Sequence, residues 1–160
     1  MMNEYGTLHE SNGRYVLRFE RFFTQNTEDV FGIITNPSFF SQWYPFATGE
    51  MDLRLGGEIA FDDGEGTTYI GTITKLEKPY LFGFQEVDDL INISLQKEDE
   101  GCQMVFTHTF NDDSWAVNTA AGWHGCLDVL GQIVNGKTIK WHDNSTKLRK
   151  TYSEAFNLER

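Results

Sequence analysis

The sequence predicts an α+β domain in which a curved antiparallel sheet closes over one long helix. Three observations lead there. From Gly49 to Phe110, apolar side chains recur at every second position, in short runs broken by turn residues. From Trp115 to Val134 the spacing becomes helical: Ala116, Ala120, Trp123, Leu127, Leu130 and Val134 form one stripe, and Trp115, Cys126, Val129 and Ile133 widen it. The strands thus form a block apart from the helices, the α+β order rather than the alternation of a parallel sheet.

The elements follow in order. Residues 1–13 read as an N-terminal lead-in or edge extension, and residues 14–160 as a single domain. Arg14 to Phe22 alternates, with Tyr15, Leu17 and Phe19 on one side, as in a half-buried strand. Thr24 to Asp29 is a polar helix start, with Asn26 or Thr27 as cap and acids in the first turn. Val30, Phe31, Ile33 and Ile34 are the apolar residues of that short helix. Asn36-Pro37 starts a second one, which carries Phe39, Phe40 and Trp43 and stops before Pro45. Strands are then expected at residues 51–54, 58–61, 67–76, 80–86, 90–97 and 102–110, which makes the sheet seven-stranded. Gly56-Gly57, Asp62 to Gly66, Glu77 to Pro79, Asp88-Asp89 and Glu98 to Gly101 supply the turns. Asp112 to Ser114 caps the long helix, and Gly136 stops it. Lys147 to Asn157 reads as a shorter amphipathic helix with Leu148, Tyr152 and Phe156 on one side. In this arrangement the long helix covers the buried face of the sheet, and the two short helices block one end.

A chain of 160 residues suits one domain and buries about 70% of its unfolded surface. Aromatic residues make up 14% of it, and Phe alone occurs 13 times, so rings wall the core or a pocket. The balance of 13 basic against 24 acidic residues gives a net charge of −11, which repels nucleic acid and anionic membranes. Cys102 and Cys126 are too few for a disulfide framework. The first residues lack the basic and apolar regions of a signal peptide, and no apolar run is long enough for a membrane span. A cytoplasmic protein is the expectation.

Four stretches, in this order, carry a family resemblance: Val30 to Pro37 with Gln42-Trp43; Gly49 to Gly57; Tyr69 to Ile73; and Thr107-His108-Thr109-Phe110 continuing to Ala121-Gly122-Trp123-His124-Gly125-Cys126-Leu127-Asp128-Val129-Leu130. From about residue 14 onward the chain resembles the SRPBCC or START-like superfamily, which includes the birch pollen allergen and lipid-transfer proteins. More narrowly, it is similar to the activator homologues of the heat-shock protein 90 ATPase, in the single-domain bacterial form without the additional N-terminal domain of the co-chaperones. The resemblance implies a helix-grip fold, with the sheet gripping the long helix around a pocket. The superfamily spans lipid carriers, cyclases and chaperone regulators, and fold does not fix function.

The reactive residues read first as structural. His108 shares a strand face with Met104, Phe106 and Phe110, so it is a hydrogen-bonded core or pocket histidine, with a polar anchor for a ligand as the alternative. His124 and Asp128 stand one helical turn apart and are within reach of each other. No metal-ligand spacing occurs, and no metal or cofactor is expected. Trp43, Trp115, Trp123 and Trp141 are candidates for pocket walls, with core packing the first reading for Trp123 and either a rim role or plain packing for Trp43. The acidic pairs Asp62-Asp63, Asp88-Asp89 and Asp112-Asp113 read as solvated turns and caps. The glycine pairs are not phosphate loops, and Cys126 has no basic neighbourhood to activate it.

The leading expectation is a binding module for a small hydrophobic molecule, lipid-like or aromatic, held between the sheet and the long helix. Its lining is expected from Trp43, Phe46, Phe61, Tyr69, Phe82, Phe84, Phe106, His108, Trp123 and Leu127. The rival is a protein-interaction role as a chaperone regulator or stress-response factor. A cyclase-like enzyme ranks third, with His108 or Tyr69 as proton donor and no catalytic set of residues. The protein is expected as a monomer or homodimer.

Overall fold

A computed structural model describes residues 4–156. The order is β1 (Thr7–Ser11), β2 (Arg14–Phe23), α1 (Thr27–Thr35), α2 (Pro37–Trp43), β3 (Ala47–Met51), β4 (Glu58–Asp62), β5 (Thr68–Glu77), β6 (Leu81–Glu86), β7 (Asp89–Glu98), β8 (Gly101–Phe110), α3 (Ala116–Val134) and α4 (Ser145–Phe156). The strands form one 8-stranded sheet ordered β1-β2-β8-β7-β6-β5-β4-β3, antiparallel throughout. The long helix α3 packs on its concave face, so the α+β helix-grip architecture holds.

Three details differ from the sequence expectation. The eighth strand is β1, paired from Thr7↔Arg18 to Ser11↔Arg14. Its side chains are exposed except for the half-buried Leu8, so it carries no apolar alternation to read. Main-chain pairing holds it, not burial. The strand before Gly56 lies at Ala47–Met51 and not at 51–54, because Arg54 N–H turns back to the Asp52 carbonyl at 2.9 Å. Trp115 does not join the α3 stripe: it ends a 3-10 turn, Asp113–Trp115, and points its ring into solvent. The last residue of the expected tail helix, Asn157, lies outside the described residues.

Local chemistry accounts for the element ends. The Asn26 side chain accepts the Asp29 N–H at 2.8 Å and caps α1. The Asn36 side chain accepts the Ser38 and Phe39 N–H groups, and Pro37 takes the first helical position of α2. Helix α3 closes with Gly136 at φ 69°, the Gly136 N–H donating to the Ile133 carbonyl and the Lys137 N–H to the Gln132 carbonyl, a Schellman stop. At Gly57 a Cβ would stand 1.9 Å from the Asp52 carbonyl oxygen, so only glycine fits that turn.

The core is the concave face plus one side of α3. Leu17 and Phe19, Ile59 and Phe61, Phe82 and Phe84, Ile91 and Ile93, and Met104 and Phe106 are all buried, in one cluster with Ala120, Leu127 and Leu130. Each such Phe contributes about 1.5–3 kcal/mol by leaving water. The rings touch one another: Phe40 stacks on Tyr44 at 4.7 Å, Phe82 lies 5.5 Å from Phe84, and Phe106 lies 4.8 Å from Trp123. The space between sheet and helix is therefore filled by side chains.

Candidate functional site

Alternation along β6 puts Phe82, Phe84 and Glu86 on the concave face. Across the hairpin, Phe84 opposes Ile91 and Glu86 opposes Asp89. The apolar face thus ends in a polar row. Only Val87 and Asp88 connect β6 to β7, so the two acids at the hairpin tip are held opposite each other. On β8, His108 opposes Ile91, one residue pair further in.

Each of these groups has a fixed partner. Tyr44, just past the end of α2, donates its hydroxyl to Glu86 Oε2, and Tyr69 of β5 donates its hydroxyl to Glu86 Oε1 at 2.9 Å. His108 Nε2 lies 2.8 Å from Asp89 Oδ2, and Trp123 Nε1–H of α3 donates to His108 Nδ1 at 2.9 Å. An indole nitrogen only donates, so Nδ1 accepts. The imidazole proton therefore sits on Nε2 and points at Asp89. Burial, and after it the Glu86 carboxylate, pushes the Tyr44 phenol well above its usual 10, and the same causes in the same order raise Tyr69. Both phenols hold their protons near neutral pH and are poor acids for a proton-transfer step.

These residues surround a cleft of about 360 Å³, closed at its rim by Pro45, Phe46, Val87 and Asp88. Phe46 and Val87 are exposed, and both have left-handed backbone, at φ 65° and 57°. For a β-branched residue that conformation is a true outlier. A second hollow of about 290 Å³ shares Asp88, Asp89 and His108 with the cleft and runs on to Trp115.

Of the expected lining residues, the structure brings Phe46, Tyr69, His108 and Trp123 to this cleft. It places Trp43, Phe61, Phe82, Phe84, Phe106 and Leu127 in the packed interior. Trp43 is 1% exposed, and its neighbour Tyr44 reaches the cleft instead. Trp141 is exposed, away from the cleft lining. Asp62 and Asp63 accept backbone N–H groups of their own turn, and Asp112 caps the turn before α3, as acids in those settings should. Asp89 departs from that pattern by bonding His108. Tyr44 and Glu86 were not among the expected site residues, and Asp89, expected in a solvated turn, instead bonds His108. The signal for the acids was present, because the alternation that turns Phe84 and Ile91 inward also turns Glu86 and Asp89 inward.

Elsewhere, burial pushes the Cys126 thiol up to about 12, which leaves it unreactive. No helix among the described residues is long and apolar enough to cross a membrane.

The fold and the placement of α3 define a START-like helix-grip protein. The sequence model of the Activator of Hsp90 ATPase homolog 1-like protein family matches residues 25–135, and the chain belongs to that family. No curated protein matches it significantly. A conserved protein of unknown function from Enterococcus faecalis has a similar solved structure, with a TM-score of 0.81 at 20% identity over 97% of this chain and 92% of that one. CalU16 from Micromonospora echinospora gives a TM-score of 0.72 at 18% identity, over 97% of this chain and 95% of that one. At such identities these likenesses concern the fold alone.

Proposed function

We propose that this chain is a binding module that takes a small molecule with an aromatic or apolar body in the cleft beside Trp123. The observation that carries the reading is the cleft itself: about 360 Å³, walled by Tyr44, Tyr69 and Trp123 and rimmed by exposed Phe46 and Val87. That volume falls within the roughly 300–1,000 Å³ of small-molecule sites, and apolar walls with a few placed polar groups are their usual construction. Two non-glycine residues held in left-handed backbone at one rim add support, because such strain gathers at ligand clamps. The ligand enters at the polar end of the helix-grip core rather than into its centre, which rings already fill.

Titration with the fluorophore N-phenyl-1-naphthylamine tests the reading. A saturable signal is expected, weakened in Phe46→Glu, whose exposed side chain can change without unfolding the core. No saturable binding, or an unchanged affinity in that variant, overturns it. Native mass spectrometry of freshly purified protein would identify a co-purified occupant directly.

The family description favours a second reading, a chaperone-type partner in the cytoplasm, with the net charge of −11 setting the contact surface. Capture of Hsp90 by the purified chain supports it, and absence of capture under low salt removes it.

A further inference from the structure

The hydrogen-bond inventory of the cleft says more about its occupant. Every side-chain N–H and O–H that lines it is already committed. The Tyr44 and Tyr69 hydroxyls both donate to Glu86, the His108 Nε2–H faces Asp89, and the Trp123 Nε1–H donates to His108. His108 has no nitrogen left to anchor a ligand. What remains toward the opening is acceptor capacity. Asp89 uses Oδ2 on His108, and Oδ1 carries no side-chain bond among the described residues. The Asp88 carboxylate carries none either, and the oxygens of Glu86 and the phenols keep lone pairs.

Among the described residues, no lysine or arginine lines the cleft or the adjoining hollow. Arg14 lies outside both linings and turns two of its N–H groups to neutral oxygens, Nε to Asn111 Oδ1 at 2.7 Å and Nη2 to the Asp88 carbonyl at 2.6 Å. Carboxylates with no free side-chain donor beside them disfavour an anion, which they repel and to which no lining side chain gives a proton. They favour a group that brings its own protons, more so if it is charged. Aromatic walls favour a cation for a second reason, through the negative faces of their rings.

We infer that the occupant of this cleft carries a protonated amine on its aromatic or apolar body, with the ammonium set against Asp88 and Asp89 and the body against Trp123 and the rim. The inference rests on the small-molecule reading of the cleft and specifies its ligand class.

Three matched probes test it at low salt: 2-naphthylmethylammonium, 2-naphthylmethanol and 2-naphthoate, each titrated by calorimetry. The ammonium is expected to bind about tenfold or more tighter than the alcohol, and the naphthoate weaker than both. The advantage of the ammonium should shrink as salt is added. In Asp88→Asn combined with Asp89→Asn the ratio of ammonium to alcohol affinity should fall to about one. Equal or tighter binding of the alcohol or the naphthoate overturns the inference and leaves the binding module standing. So does an ammonium preference that persists in the folded double variant. Failure of all three probes to bind overturns both. If the double variant does not fold, the ranking of the three probes on the unaltered protein decides the matter, with Asp88→Asn alone as the second variant.

Discussion

Trp123 on α3 donates its indole N–H to Nδ1 of His108 on β8, at 2.9 Å, and this bond ties the long helix to the sheet beside the cleft. It also sets the imidazole tautomer, since the ring must then carry its proton on Nε2, toward Asp89. Trp123→Phe keeps a ring on Phe106 and removes the donor. A buried acceptor left without its partner costs about 1–3 kcal/mol, and that loss is expected in urea denaturation. Nitrogen NMR of His108 should report the same change, from a single Nε2–H tautomer to a mixture. An unchanged tautomer in the variant would show that Trp123 does not set it.

Glu86 gathers two phenols from distant parts of the chain, Tyr44 after α2 and Tyr69 on β5. It adds to the rise of both phenols above their usual value, although burial contributes most. Glu86→Gln removes the charge and keeps an acceptor oxygen. The two phenols should then ionise at lower pH than in the unaltered protein, though still above 10, because burial remains. Ultraviolet absorbance of the phenolate against pH measures it, with Tyr69→Phe to assign the transitions. Coincident curves for Glu86→Gln and the parent would exclude the carboxylate's part.

The fold was legible because its signals are local. Alternation marks Leu17 and Phe19, or Met104, Phe106 and His108, as inward whatever lies opposite. The α3 stripe is equally local, and it misled only at Trp115, where the 3-10 turn breaks the helical phase. The site was less legible because it depends on register and on long-range meetings. Glu86 matters because it opposes Asp89 and receives Tyr44 and Tyr69, and none of those relations is a spacing in the chain. Whether Phe82, Phe84 and Phe106 line a void or fill one is settled by how Phe40, Tyr44 and Trp123 pack on them, which alternation does not carry.

Val87 holds an exposed β-branched side chain at φ 57° in the connection that sets Glu86 against Asp89. Two-residue hairpin connections put glycine at such positions. Val87→Gly relieves the strain and loses little packing, so a gain of about 1 kcal/mol in urea denaturation is expected, part of the relief being offset by glycine's greater freedom when unfolded. The rim also loses an apolar wall, so the naphthyl probes should bind more weakly to the stabilised variant. A variant less stable than its parent would mean that the Val87 side chain stabilises the hairpin by more than its backbone costs.

The Tyr152 hydroxyl accepts the Gly6 N–H at 2.9 Å and shares a second hydrogen bond, 2.8 Å long, with His124 Nδ1. On the other side of the ring, His124 Nε2 lies 3.8 Å from Asp128 Oδ2. This network joins Gly6 to α3 and α4. Burial lowers the His124 pKa from its usual 6.5; Asp128 works against that shift and Arg21, paired to Asp128 at 2.8 Å, adds to it. The folded value lies below the unfolded one, so below pH 6.5 the unfolded chain binds more protons at this site, and acid favours unfolding. Above pH 6.5 the contribution to stability is fully present, and it is lost as pH falls toward the folded value. His124→Gln keeps a side chain that can both donate to and accept from the Tyr152 hydroxyl, and it cannot titrate. Its denaturation midpoint should therefore fall less than the parent's between about pH 7 and 5. Parallel midpoints across that range would place the acid sensitivity elsewhere, and a steeper fall in the variant would reverse the sign assigned to His124.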